Sequence, residues 1–213
     1  MRSVLPFVEY YLRPVPGFSY LRPVLDALAL RHWLRTGSPP APRTVKRDLI
    51  RGFASARRRV FIETGTFYGD MLAELQSDFD ALYSIELSPR LAKRAAARFA
   101  GDPRVRIVEG DSGEVLGRLL STLQKPAVLW LDGHYSGPLT ARGAVDTPLL
   151  RELGAALSIG TIEDAILVDD ARLLGVDRSY PTELEVRSLI RQAHPEWTVT
   201  LVSDVVIACA GCP

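Results

Sequence analysis

The chain has little cysteine. Cys209 and Cys212 are its only two, both near the C-terminal end, so a disulfide-stapled scaffold is excluded. No apolar run approaches the ~20 residues that a transmembrane helix needs. Pro6, Glu9, Arg13, Pro14 and Pro16 interrupt any signal-peptide core at the start. Lys46, Lys93 and Lys125 are the only lysines among 26 basic residues, a bias that decides nothing about function. Internal repeats and low-complexity blocks are absent. What is present is ordinary for a globular protein: 213 residues, 47% hydrophobic and 24% charged. That suits one domain with an extension, burying roughly 70% of the surface of the unfolded chain. The expected compartment is the cytoplasm. The C-x-x-C of Cys209 and Cys212 has no second cysteine pair, and the 3 histidines are scattered, which argues against structural zinc. It also follows a strand pattern instead of opening a helix, which argues against a redox motif.

The formal net charge of +1 hides two unlike parts. Residues 1–60 carry twelve Lys/Arg against Glu9, Asp26 and Asp48, a net of +9; residues 61–213 carry fourteen against twenty-two acids, a net of −8. A basic arm suits phosphate, nucleic acid or an anionic membrane. The alternative is an Arg-rich face whose charge pairs with the acidic domain behind it. No aromatic-interleaved basic repeat favours nucleic acid.

Residues 1–44 read as an irregular and helical extension ending in a linker. Residues 23–33 have helical apolar spacing, with Pro23 at a plausible first turn. Pro39, Pro40 and Pro42 forbid a helix in 36–43. Thr44 is placed to cap the helix that follows. Residues 45–213 form the main domain. Short apolar runs at 60–64, 81–86, 105–111, 127–132, 165–170, 197–202 and 205–210 alternate with helical stretches at 70–78, 89–100, 113–123, 146–158 and 182–193. Strands apolar almost throughout require cover on both faces, and their alternation with helices predicts an α/β doubly wound, mostly parallel seven-stranded sheet. Only Ser203 and Asp204 separate the last two runs, so these form a C-terminal antiparallel hairpin.

In such sheets, ligands bind beyond the carboxyl ends of the strands. Five successive strands here end at or beside an acid: Glu63, Glu86, Asp111, Asp132 and the pair Asp169–Asp170. The first runs into Glu63-Thr64-Gly65-Thr66-Phe67-Tyr68-Gly69. Glu63 stands where the dinucleotide fingerprint has its first glycine; a carboxylate there repels pyrophosphate and suits a cationic or amino-bearing ligand. Glu86 is positioned to accept hydrogen bonds from two ribose hydroxyls, and Asp111, followed by Ser112, to meet a base edge. Each residue alone has a plainer role, Gly65 as turn punctuation and the acids as helix caps or solvated strand ends.

In order and spacing, the segments ETGTFYG, SIELSP and VEGDS resemble the first motifs of the class I S-adenosylmethionine-dependent methyltransferases, over residues 60–210. The resemblance implies that Glu63, Gly65 and Gly69, with Thr66 in the same loop, hold the methionine moiety of S-adenosyl-L-methionine. It also implies Glu86 at the ribose, Asp111 and Ser112 at the adenine, and Asp132 beside the cofactor.

The fourth strand ends in Asp132, followed by His134 and Tyr135, and the fifth in Asp169 and Asp170. Three carboxylates with no visible lysine partner repel one another unless a cation lies between them, and all-oxygen ligation favours Mg²⁺ or another hard divalent ion. Arg172 is the competing explanation, as a salt-bridge partner; Asp170 also reads as a cap. The pattern is similar to the metal-dependent O-methyltransferases of the catechol and macrocin types, which implies Asp132, Asp169 and Asp170 as metal ligands. The lysine base of the catechol type is replaced by Tyr135, leaving His134 as the candidate base, together with Asp132 as catalytic residue. The glycine-containing segment 136–146 reads as a lid or as an ordinary loop, and Arg142 and Arg172 as holders of an anionic substrate or as partners of nearby acids.

The expected activity is metal-assisted methyl transfer to a hydroxyl of a small polar acceptor, a sugar or secondary metabolite, anionic or sugar-linked. No nucleic acid or transmembrane segment is expected. The N-terminal 44 residues would cap the pocket or form a homodimer interface. The rivals are a metal-independent methyltransferase using Asp132 and His134 on oxygen or nitrogen, and a non-catalytic nucleoside-binding protein with a basic docking arm.

Overall fold

A computed structural model of the chain describes residues 18–133 and 147–212. Two helices precede the sheet, α1 (Phe18–Thr36) and α2 (Arg43–Phe53). Then come β1 (Val60–Thr64), α3 (Asp70–Leu75), β2 (Ala81–Glu86), α4 (Pro89–Arg98), β3 (Val105–Glu109), α5 (Ser112–Leu123) and β4 (Ala127–Leu131). They are followed by α6 (Leu149–Ile159), β5 (Ala165–Val168), a 3₁₀ turn (Ala171–Leu173), α7 (Glu183–Ala193), β6 (Thr198–Val202) and β7 (Val205–Cys209).

The strands form one seven-stranded sheet in the order β3-β2-β1-β4-β5-β7-β6. β1 to β5 are parallel, and β7 pairs antiparallel with both β5 and β6. The expected architecture, hairpin included, is therefore the observed one. β1, β4, β5 and β7 are buried along their whole length, because helices cover both faces. One layer packs Ile62, Leu129 and Ile166 against Leu116, Leu153 and Val186 of α5, α6 and α7. The other packs Phe61, Val128 and Leu167 against Ile50, Phe53 and Leu72 of α2 and α3. The edge strands β3 and β6 are the partly exposed ones.

Three local expectations are corrected. Thr44 lies inside α2, which starts at Arg43 with Pro42 as its N-cap residue, and does not cap it. The first helix begins by Phe18, so Pro23 lies inside it and not in its first turn. Cys209 and Cys212 are bonded to each other across the C-terminal turn, so the chain does carry one short-range disulfide.

Arginines of α1 and α2 pair with the acids that follow β1. Arg22 lies 2.9 Å from Asp70 and 3.5 Å from Glu74, Arg47 3.4 Å from Glu74, and Arg51 3.0 Å from Asp78, all acids on or just after α3. Arg43 joins Asp26 of α1 to the same Glu74. Electrostatics and the burial of Ile50 and Phe53 together dock α2 on the sheet, close to the ends of the strands.

Candidate active site

The strand order reverses between β1 and β4: successive strands run outward from β1 on one side and from β4 on the other. The crevice beyond the carboxyl ends of these two strands is the topological switch point, where ligands of open α/β sheets bind. Glu63, Thr64 and Gly65 face it from β1, and Asp132 and Gly133 from β4.

The β1–α3 loop is held tightly. Gly65 takes φ +87°, and a Cβ there would lie 2.6 Å from the Asp132 carbonyl oxygen, so only glycine allows the loop to touch the end of β4. Gly65 N–H donates to the Ile85 carbonyl at 2.9 Å. Glu86 accepts from the Phe67 N–H at 2.8 Å and the Ser88 N–H at 2.9 Å, which places its carboxylate between the glycine loop and the start of α4. Burial raises its pKa against those two bonds. Glu63 is buried under the loop and accepts from Ser84 Oγ at 2.7 Å; Thr66 Oγ1 bonds to the same serine. Burial pushes the Glu63 carboxyl up to about 8.

Asp111 caps α5, accepting from Gly113 N–H at 2.9 Å, and Arg151 reaches it at 3.0 Å. The plainer role of Asp111 as a cap is thus present in the fold. Ser112 is buried and faces inward to Glu152, as does Thr64. Thr64 Oγ1 in turn accepts from the Asp132 N–H at 3.0 Å. Glu152, on α6, is 1% exposed, and burial pushes its carboxyl up to about 7. Its Oε1 packs so closely on Gly133 that a Cβ there would come within 2.5 Å.

At the end of β5, Asp169 N–H donates to the Leu131 carbonyl at 3.0 Å, tying the Asp pair to β4. Asp170 adopts φ +55°. The carboxylates of Asp169 and Asp170 come within 4.8 Å of that of Asp204, from the β6–β7 turn. Lys46 of α2 lies between the first two, its Nζ 2.6 Å from Asp169 and 3.4 Å from Asp170. Arg172 bridges Asp170 and Asp204. The expectation of an acid cluster without a lysine partner is therefore corrected, and the anticipated pairing of Arg172 with an acid is present. Burial works against the Lys46 ammonium, but Asp169, Asp170 and Asp132 outweigh it and raise its pKa above the ordinary lysine value. Burial likewise raises Asp169, opposed by Lys46.

Asp132, Gly133, Glu152 and Asp169 line one cavity together with Thr147, Leu149 and Tyr180. Of the strand-end acids, Asp132 and Asp169 share this cavity, with Asp170 beside Asp169, whereas Glu63, Glu86 and Asp111 are not among its lining residues. His134, Tyr135, Arg142 and the segment 136–146 lie outside the described residues. Lys46, Glu152, Tyr180 and Asp204 were not anticipated. The first belongs to a helix read only from Thr44 as its cap, and nothing in the spacing of the others points to the site.

The donor chemistry suits a hard cation. The oxygens of the cluster are carboxylate oxygens, and the Lys46 ammonium already sits between Asp169 and Asp170 as a cation would. Among the described residues the clustered acids are Asp169, Asp170 and Asp204, already paired with Lys46 and Arg172, and Asp132 adjoins Asp169 in the cavity.

No family model and no curated protein matches the sequence. Solved structures do match the fold. The O-methyltransferase TomG from Streptomyces achromogenes, involved in tomaymycin synthesis and solved in complex with SAM, superposes with TM-score 0.55 at 20% identity, over 87% of this chain and 88% of that one. The fold is that of the class I methyltransferases. The SAH-bound methyltransferase PaMTH1 from Podospora anserina gives TM-score 0.54 at 17% identity over 88% of each chain. An O-methyltransferase family protein from Burkholderia thailandensis gives 0.52 at 13% identity, covering 98% of this chain and 71% of that one.

Proposed function

We propose that the protein transfers a methyl group from S-adenosylmethionine to a hydroxyl of a small polar acceptor, with a divalent cation at the strand-end acids. The observation that carries the cofactor reading is the meeting, beside the switch point at the β1 and β2 ends, of the Gly65 loop with a Glu86 carboxylate fixed by the N–H groups of Phe67 and Ser88. A ribose diol is the partner such a carboxylate takes in nucleoside-binding sheets. Glu63, buried under this loop and protonated below about pH 8 in the cofactor-free chain, would give up its proton beside a cationic sulfonium or amino group and pair with it.

Asp132, Asp169 and Asp170 are the residues that would hold the cation, with Asp204 beside them. A cation there lowers the pKa of an acceptor hydroxyl and fixes its oxygen. The chain's own part is positional. Thr64 and the β4 end hold Asp132, the Leu131 carbonyl holds Asp169, and Arg172 holds Asp170 against Asp204. In the transfer the carbon–sulfur bond breaks as the carbon–oxygen bond forms, and the hydroxyl proton leaves to a base. His134 is the residue proposed for that base.

Lys46 favours a second reading, in which the ammonium serves permanently as the counter-ion and no metal is used. Methyl transfer from S-adenosylmethionine to a panel of hydroxylated acceptors, with chelator and then with Mg²⁺, separates the two. The first requires activity abolished by chelator and restored by Mg²⁺, with Asp169→Asn inactive. Activity indifferent to chelation supports the second, and cofactor binding without turnover on any acceptor contradicts both.

A further inference from the structure

Lys46 is unlike its neighbours. The other cationic residues that dock α2, Arg43, Arg47 and Arg51, reach acids on or just after α3. Lys46 alone turns to the acids at the end of β5, and it is one of only three lysines in a chain of 26 basic residues. Its side chain is 11% exposed, against 4% for Asp169 and 7% for Asp170. A compact ammonium with three rotatable donors can sit between two carboxylates, which a planar guanidinium does less well. Helix α2 is fixed independently by Ile50, Phe53 and the arginine pairs, so the ammonium can leave the acids without undocking the helix.

We propose that Lys46 is the internal counter-ion of Asp169 and Asp170, and that an external divalent cation enters by displacing its ammonium, so that Lys46 sets the cation affinity of the site. This rests on the reading of these acids as cation ligands. The physical reason is exclusion. An ammonium 2.6 Å from Asp169 and 3.4 Å from Asp170 occupies the oxygens that a second cation needs, and two cations sharing them repel in a buried, low-dielectric setting. Arg172 shares the Asp170 Oδ1 with Lys46 and bridges it to Asp204, but it leaves Asp169 to Lys46. Without either cation Arg172 still holds Asp170, but the buried Asp169 carboxylate loses the ammonium that offsets it, which is destabilising. The lysine therefore keeps the cation-free protein folded and at the same time weakens cation binding.

The test titrates Mn²⁺ alone into the full chain, reading free Mn²⁺ by electron paramagnetic resonance, for the wild type, Lys46→Met, Lys46→Gln and Lys46→Arg. Melting temperatures are recorded with and without Mn²⁺. Both neutral variants bind Mn²⁺ at least tenfold more tightly than the wild type, while Lys46→Arg does not. Lys46→Met melts lower without Mn²⁺ and recovers with it. Lys46→Gln keeps a hydrogen-bond donor toward Asp169 and gives the affinity comparison even if the methionine variant fails to fold. A lysine with a merely structural role would weaken or leave unchanged the binding when replaced, so equal or weaker affinity in the neutral variants overturns the inference alone. No Mn²⁺ binding by any of the four proteins overturns the cation reading and the inference with it.

Discussion

Replacing Gly65 by alanine tests the contact that builds the switch-point crevice. At φ +87° an L-residue costs about 1–2 kcal/mol relative to glycine. The new Cβ would also lie 2.6 Å from the Asp132 carbonyl oxygen and 3.3 Å from its carbon. Tolerated carbon–oxygen contacts begin near 3.3 Å, so the loop and the end of β4 must part by about 0.7 Å, and overpacking of this kind costs about 1–3 kcal/mol. The two contributions total roughly 2–5 kcal/mol. For a chain of this size each kcal/mol lowers the melting temperature by about 2–4 °C, which predicts a fall of roughly 4–20 °C by differential scanning calorimetry. Because the yielding atoms belong to the proposed cofactor cleft, affinity for S-adenosylhomocysteine falls with it. Gly37→Ala makes the control: its φ is +61° and a Cβ there meets nothing within 4 Å, so it carries the backbone cost without the contact. A Gly65→Ala protein with unchanged melting temperature and unchanged ligand affinity would refute the reasoning.

Three further outcomes are expected. Burial holds the Glu63 carboxyl at about 8 against about 4.3 in an unfolded chain. The folded state therefore retains a proton that the unfolded state loses, and this contribution to stability falls as pH rises from the ordinary carboxylate range through about 8. In the cofactor-free protein Glu63→Gln accordingly raises the melting temperature relative to wild type more at pH 9 than at pH 5, by roughly the several degrees that a few kcal/mol produce; an equal difference at both pH values contradicts it. Glu74→Ala removes the partner shared by Arg22, Arg43 and Arg47 and costs about 1 kcal/mol. Proteolytic cleavage at the 37–42 connection speeds up in this variant, and the difference from wild type shrinks in about 1 M salt, where the Debye length is about 3 Å. Glu152→Leu loses the carboxyl facing Thr64 and Ser112 and so loosens Asp132, lowering turnover more than ligand affinity; a loss confined to affinity would place Glu152 at the cofactor instead.

The parts of this molecule legible in its sequence are those set by local pattern. Strands covered on both faces have to be apolar throughout, so β1, β4 and β5 announced themselves. The two-residue turn at Ser203 and Asp204 dictated the β6–β7 hairpin. Strand-end acids were legible because a parallel sheet brings all carboxyl ends to one edge. Lys46 was not, because its partners Asp169 and Asp170 lie more than a hundred residues away and only the docking of α2 on the sheet joins them. Asp204 sat in a turn whose side chain points back to Arg172, which the hairpin pattern does not encode. Glu152 occupied an apolar helix face where a solvated position is the ordinary expectation for glutamate. Pro23 misled because a proline favours a helix start, whereas here the helix continues through it.

The account stands or falls on the nucleoside pocket at the β1–β4 crevice. Calorimetric titration of the purified chain with S-adenosylhomocysteine, repeated on Glu86→Ala, measures it most directly. The account predicts micromolar binding by the wild type and at least tenfold weaker binding by the variant, whose Phe67 and Ser88 N–H groups lose the carboxylate proposed to face the ribose. Absence of binding by a folded wild-type protein would contradict the account and assign the strand-end acids to another ligand.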